Sequence, residues 1–269
     1  MGVALLIVLW AIALGSAYFF IAHDWWLPAA ASAQAATVDR DLFLTFAIFG
    51  VLFLAAQLAL GLFVWRYRVR PASPPHAHSD GNTTLELAWT LVAALVFLGM
   101  SFYGYSSWAE RRLQPASANA LQVEVTGAQF QWYFRYPGPD GKFGRTRTEL
   151  QDPATGNPLG LDDTDPEAQD DVVSAVLMLP EQREVAVLLR SHDVIHSFFI
   201  PEMRVKQDAV PGLMISTHFT PTVSGDYELA CAELCGLGHY RMRAPVRVLP
   251  AAEFDGWLSS RRAEQAAAR

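Results

Sequence analysis

The sequence predicts membrane-spanning α-helices followed by an all-β domain. Three apolar runs, at residues 3–22, 42–65 and 87–105, each approach the roughly 20 residues that a helix needs to cross a bilayer. After Leu113 no run of that length occurs. The chain turns instead to short alternating stretches punctuated by Gly, Pro and Asp, the pattern of a β-sandwich or barrel. With 269 residues there is room for one membrane region and one globular domain. The expected division is an extra N-terminal helix and short outer loop at residues 1–40, a helix hairpin at 41–112, and an outer domain at 113–269.

The first run is followed by Ala31-Ser32-Ala33, which resembles the small-residue site of a signal peptide. No Lys or Arg precedes the run, and it is long for a signal sequence, so a retained helix is expected. Arg66, Arg68 and Arg70 follow the second run. Basic residues collect on the cytoplasmic side, so this loop faces inward. Arg111 and Arg112 oppose that assignment, but they are fewer and stand beside Glu110. The third helix then exits, and the C-terminal domain lies on the outer, periplasmic side of a bacterial-type plasma membrane. Trp25, Trp26, Tyr103, Tyr105 and Trp108 mark the outer interface. The inner linker carries His76 and His78 as H-x-H, read as a solvated pair. Thr83-Thr-Leu-Glu86 then opens the third helix as a capping box, with Thr83 at the N-cap and Glu86 at N3.

In the outer domain, strands are expected at residues 121–126, 130–136, 175–179, 185–190, 194–200, 214–219, 227–230 and 246–249. Alternation over residues 130–136 puts Phe130, Trp132 and Phe134 on one face. Pro137-Gly-Pro-Asp-Gly is turn chemistry. Residues 152–171 read as an acidic surface insertion. Pro250 starts a final amphipathic helix with Phe254, Trp257 and Leu258 inward. From Leu113 onward there are 14 Lys and Arg against 21 Asp and Glu, so the whole net charge of −7 lies in this domain. Such a field steers a cationic partner. Only two lysines, Lys142 and Lys206, and no basic stripe are present, which argues against nucleic-acid binding.

The chemistry concentrates in Cys231-Ala-Glu233-Leu-Cys235-Gly-Leu-Gly-His239-Tyr-Arg-Met242, with His196 upstream in Asp193-Val-Ile-His196-Ser. These are the only two cysteines. Two cysteines in an exported domain also suit a disulfide. A C-x3-C pair suits redox or copper-delivery chemistry, and two Cys with two His suit zinc. Zinc has no need of Met242, and a copper-delivery fold would alternate strands and helices here. Thiolate, imidazole and thioether together are the blue-copper donor set. One thiolate too many for a single blue copper suggests two thiolates bridging a pair of copper ions.

These residues resemble subunit II of the haem–copper cytochrome c oxidases. C-A-E-L-C-G-x-x-H-x-x-M carries the likeness, supported by Asp193-Val-Ile-His196-Ser-Phe, Lys206-x-Asp208 and Pro211-Gly. The resemblance covers the chain from the second helix to the end. It implies a helix hairpin followed by a cupredoxin-like Greek-key β-sandwich holding the dinuclear CuA centre. Cys231 and Cys235 would bridge the coppers, with His196 and His239 as terminal ligands. Met242 would be a weak ligand of one copper and the Glu233 carbonyl a ligand of the other. The Glu233 side chain would bind a magnesium ion shared with subunit I. Lys206 and Asp208 match a segment at the subunit I interface. Glu86 matches an acidic residue at the mouth of a proton path.

The resemblance further implies an electron-accepting subunit that takes electrons from a soluble cytochrome c. It would pass them to haem in subunit I, which works with the other oxidase subunits to reduce O2 to water. The CuA subunit of a nitric oxide reductase and a membrane-anchored copper-delivery protein are the alternatives. The family's aromatic patch G-x-Q-W-x-W reads Gly127-Ala-Gln129-Phe130-Gln-Trp132 here. With Phe130 at the first tryptophan position, Trp132 is expected to dominate electron uptake. His192 replaces an acidic position. No C-x-x-C-H motif occurs, so no cytochrome c domain is fused to this chain.

Overall fold

The structure, a computed structural model, describes residues 2–68 and 81–267. Arg70, His76 and His78 lie outside the described residues. Three helices come first: α1 (Gly2–Ala22), α2 (Ala33–Arg66) and α3 (Thr83–Arg112). All three are long and apolar enough to cross a membrane, and little of each span is buried within the protein. Side chains such as Ile7, Phe53 and Phe97 stand exposed, as lipid-facing side chains must, since a bilayer leaves apolar faces nothing to hide from.

Polar bonds hold these helices at their few close approaches. The Trp10 indole on α1 donates to the Leu58 carbonyl on α2 at 3.1 Å. Asp41 on α2 accepts from the Tyr103 hydroxyl on α3 at 2.8 Å and from the Ser107 hydroxyl. The cap of α3 differs from expectation. Asn82, not Thr83, is the N-cap, its side chain accepting from Leu85 N–H at 3.0 Å. Both residues are good caps, but Asn82 has the extended backbone a cap needs. The helix therefore starts at Thr83, which takes Glu86 out of the reciprocal capping position.

A second unit contains Gln114 onward together with the connector Leu27–Val38. Its strands are β1 (Leu121–Ala128), β2 (Gln131–Tyr136), β3 (Val172–Ser174), β4 (Leu177–Pro180), β5 (Val185–Ser191), β6 (His196–Ile200), β7 (Val205–Ala209), β8 (Ile215–Phe219), β9 (Gly225–Cys231) and β10 (Arg243–Leu249). They form two five-stranded sheets, ordered β3-β2-β1-β5-β8 and β4-β10-β9-β6-β7. Pairings are antiparallel except β1 with β5 and β4 with β10. Val125, Phe134, Leu189, Phe198, Leu229 and Val246 are among the buried side chains of the core. The short α4 (Pro166–Gln169) lies in the acidic insertion, and α5 (Ala251–Ala267) closes the chain with Phe254 and Leu258 buried.

The connector is built into this unit. Ala31 N–H donates to the Glu202 carbonyl at 2.8 Å, Ala33 N–H to Thr220 at 2.9 Å, and Thr222 N–H back to Ala31 at 2.9 Å. The Ser32 hydroxyl donates to the Met203 carbonyl at 2.8 Å and accepts from Ala35 N–H at 3.2 Å, so it also caps α2. Ala31, Ser32 and Ala35 are buried. Hence the link between the first two helices lies on the same side of a membrane as the β domain. Ala31 and Ser32 thus fill a slot in the β domain.

Candidate metal centre

The ligand-type side chains come from β6 and from the loop between β9 and β10. His196 opens β6 and Cys231 ends β9, and the two strands pair through Phe198 with Cys231 and Phe199 with Ala230. Cys231 N–H donates to the Met242 carbonyl at 3.0 Å, which ties the base of the loop. Cys235, His239 and Met242 follow on that loop, with His239 at the start of a single helical turn. His196, Cys231, Cys235 and Met242 are buried.

The donors form a row. His196 Nδ1 is 3.9 Å from Cys231 Sγ, which is 3.9 Å from Cys235 Sγ, which is 3.6 Å from His239 Nδ1. Met242 Sδ stands 3.7 Å from Cys235 Sγ, and the Glu233 carbonyl oxygen stands 3.2 Å from Cys231 Sγ. Each sulfur thus has one imidazole and one weaker donor beside it, and the thiols are not bonded to each other. Burial, with Cys231 alongside, pushes the Cys235 thiol up to about 11. A metal that binds here must therefore displace protons from the sulfurs.

Neighbouring groups orient the donors. His196 Nε2 lies 2.8 Å from Asp193 Oδ1. A carboxylate only accepts, so Nε2 carries the proton and Nδ1 presents a lone pair to the sulfur side. Burial alone would raise the Asp193 carboxyl. Hydrogen bonds from Gln129 N–H, His196 and Val194 N–H outweigh it and hold the group below the usual carboxylate range. Gly127 on β1 lets the His196 ring approach, because a Cβ there would fall 2.8 Å from the ring carbon Cδ2.

Trp132 is fully buried on β2, its ring centroid 5.8 Å from that of His196 at a near edge-on angle. Phe130 does not share its face. It lies in the turn between β1 and β2, 39 % exposed, against the copper-type loop. The Glu233 side chain points outward. Glu86 is exposed in the first turn of α3, within the helical unit. Two residues of the site had no role in the sequence reading. Asp193 could have been found by its spacing of three before the histidine. Gln129 stands in the aromatic-patch motif, but its contact with the Cys235 carbonyl depends on the fold.

Residues 121–249 match the family described as Cytochrome C oxidase subunit II, periplasmic domain, and residues 21–106 match Cytochrome C oxidase subunit II, transmembrane domain. The chain is 36 % identical over 264 residues to the alternative cytochrome c oxidase subunit 2 of Bradyrhizobium diazoefficiens, covering 97 % of this chain and 92 % of the relative. It is 29 % identical to the cytochrome c oxidase subunit 2 of Thermostichus vulcanus, covering 91 % and 80 %. The crystal structure of the periplasmic domain of subunit II of cytochrome oxidase from Bradyrhizobium japonicum is similar at 29 % identity over 56 % of this chain and 97 % of that one, with a TM-score of 0.41. With three apolar helices, a two-sheet β domain and a His/Cys/Cys/Met cluster suited to copper, the chain belongs to the cytochrome c oxidase subunit II family and is a subunit of a terminal oxidase.

Proposed function

We propose that this chain is the electron-accepting subunit of a haem–copper cytochrome c oxidase, taking electrons from a soluble cytochrome c at a dinuclear CuA centre. The carrying observation is the row of donors, in which two thiols 3.9 Å apart are each flanked by one imidazole nitrogen. A single blue copper uses one thiolate and leaves the second unexplained. The residues fit two coppers. Cys231 and Cys235 would bridge them, His196 and His239 would each end the row, and Met242 and the Glu233 carbonyl would complete the two sides. Two bridging thiolates spread one electron over both metals, so its gain or loss rearranges few bonds.

The chain's own residues do the rest. Burial of both cysteines and Met242 keeps water from the sulfurs. Asp193 fixes the tautomer of His196. Trp132 supplies the one indole packed against a ligand imidazole, which supports it as the dominant route of electron uptake. It does not touch solvent, so Phe130 and the copper loop form the surface that meets the donor. Gln151 lies within 3.1 Å of His192, so the segment that carries the exposed carboxylates Glu149 and Asp152 would be where a basic carrier docks. The outward Glu233 side chain is free to bind a magnesium ion with the haem-bearing subunit. Glu86, exposed at the start of α3, serves as the entrance of a proton path. Electrons pass on to haem in that partner subunit, where oxygen is reduced.

Metal analysis and EPR of the purified complex test the reading. Two coppers per chain sharing one unpaired electron are expected. One copper with a four-line hyperfine pattern would refute the dinuclear centre. Loss of every haem-containing partner on purification would favour a lone copper-binding protein.

A further inference from the structure

The cysteine loop and His196 approach the site from different elements, joined there by one backbone bond, Ala232 N–H to the Ser197 carbonyl at 3.0 Å. The β6–β9 pairing ends at Phe198 with Cys231, below the loop. The opposite sheet supplies a connection. Gln129 lies in the turn between β1 and β2. Its backbone N–H donates to Asp193 Oδ2 at 2.7 Å, and the other oxygen of that carboxylate stands 2.8 Å from His196 Nε2. Its side-chain Nε2 donates to the Cys235 carbonyl at 2.5 Å. One residue that is no ligand thus reaches the histidine by way of Asp193 and holds the cysteine loop directly.

Packing reinforces the grip. The Phe130 ring lies so close to Gly238 that a Cβ there would overlap it, and a Cβ at Gly236 would fall 2.9 Å from Gln129 Nε2. The loop therefore lies directly against this turn. The orientation of the Gln129 amide is set by chemistry, since a carbonyl accepts and only the NH2 side can donate to it. A carboxylate of the same shape would face the carbonyl with another acceptor.

We infer that Gln129 is a positioning residue that locks the strand-borne and loop-borne halves of the ligand set to one another before metal arrives. The inference rests on the dinuclear copper reading. Groups that orient ligands without touching metal typically carry about 10- to 100-fold in metal affinity, and that sets the expected size of the effect.

The test uses the intact oxidase complex carrying Gln129→Glu, Gln129→Leu or Gln129→Asn. The readouts are copper per chain, the rate of copper loss to an excess chelator, the EPR and visible spectra, and the midpoint potential. Glu and Leu variants should fold and take up copper, but should lose it roughly 10- to 100-fold faster with an altered hyperfine pattern. Asn, which keeps the amide donor one methylene short, should recover part of the retention. Leu removes the bond without adding a charge and serves if Glu prevents folding. Wild-type release rates and spectra in both Glu and Leu variants would overturn the inference. So would copper loss that merely follows a lowered melting temperature with the spectrum unchanged. A wild-type complex without two coppers per chain would instead overturn the dinuclear reading itself.

Discussion

Replacing Arg135 by Met should cost the β domain about 3–5 kcal/mol, the usual loss when one partner of a buried ion pair is removed. Arg135 on β2 is 1 % exposed and lies between Glu124, 4 % exposed, and Asp171, 0 % exposed. Its Nε donates to Asp171 Oδ2 at 2.9 Å, one terminal nitrogen to Glu124 Oε1 at 3.2 Å, and the other to the Gly144 carbonyl and Asp171. Methionine keeps much of the volume and removes the charge, so the loss reflects stranded carboxylates rather than a cavity. Glu124 keeps Arg190 at 3.0 Å, so Asp171 is the more exposed to the loss of its cation. For a domain of this size the melting temperature should fall by about 6–20 °C. Thermal unfolding of the detergent-solubilised subunit, followed by near-UV circular dichroism, reads this directly. The pH dependence gives a second check. Burial raises the Asp171 carboxyl, and Arg135 lowers it in part. A carboxyl raised in the folded state binds protons on folding, so its penalty shrinks as pH falls through the folded value. The penalty is gone below the unfolded value of about 3.9. The gap between R135M and wild type should therefore narrow on mild acidification. Adding D171N and E124Q to R135M should restore most of the stability. A loss under about 1 kcal/mol, the scale of a surface pair, or a gap that widens towards acid, would refute this account.

Cys235→Ser should leave the sandwich folded but abolish the shared-electron EPR signal and lower copper to at most one per chain. Two coppers with an unchanged signal would exclude Cys235 as a bridge. Glu86→Gln should slow proton uptake in the complex while rapid copper reduction continues, whereas Asn82→Ala should lower α3 stability by about 0.5–2 kcal/mol and spare turnover. Unchanged turnover in E86Q would remove the proton role. Reduction of the copper centre by a basic cytochrome c should slow with added salt, since screening acts over about 8 Å at physiological ionic strength. Trp132→Phe should slow it more than Phe130→Leu at matched stability. A flat salt series would remove the docking claim, and a larger loss in F130L would reverse the order of the aromatics.

What could be read from the sequence was what is local in the chain. Each apolar span declares itself within one window, and five of the six ligand-type residues lie between Cys231 and Met242, His196 being the exception. The rest depends on contacts that the chain makes with distant segments. β7 carries no strand signal, because Val205–Ala209 buries only its two ends and sets Lys206 towards solvent, so no period of two shows. β3 is too short to carry a pattern. Ala31-Ser32-Ala33 has the composition of a processing site, and only its bonds to Glu202, Met203 and Thr220 reveal Ala31 and Ser32 as buried. Alternation places Phe130 on a strand face, but the strand starts one residue later and the turn carries the ring outward. The shift of the α3 cap has the same origin, because Asn82 and Thr83 are both competent caps and backbone geometry chooses between them.

The surface around the site bears on whether this copper loop serves storage or relay. The sulfurs are buried, yet Leu234, Leu237 and Tyr240 on the same loop are 79 %, 96 % and 71 % exposed. A site that only retained metal would gain nothing by pushing large apolar side chains into water. Exposed apolar side chains gathered at one place mark an interaction surface. An apolar rim sheds water on contact and lets a partner come close to a buried centre without opening it. The carboxylates act at longer range, where they raise the rate of encounter more than the strength of the final contact. The two features therefore divide the task. Under the proposed function, charge on the acidic domain would bring a carrier to the correct face, and the apolar loop would set the short separation across which an electron could pass. On this reasoning Leu237→Ser should weaken electron transfer at every salt concentration, whereas removing Glu149 and Asp152 together should matter only at low salt.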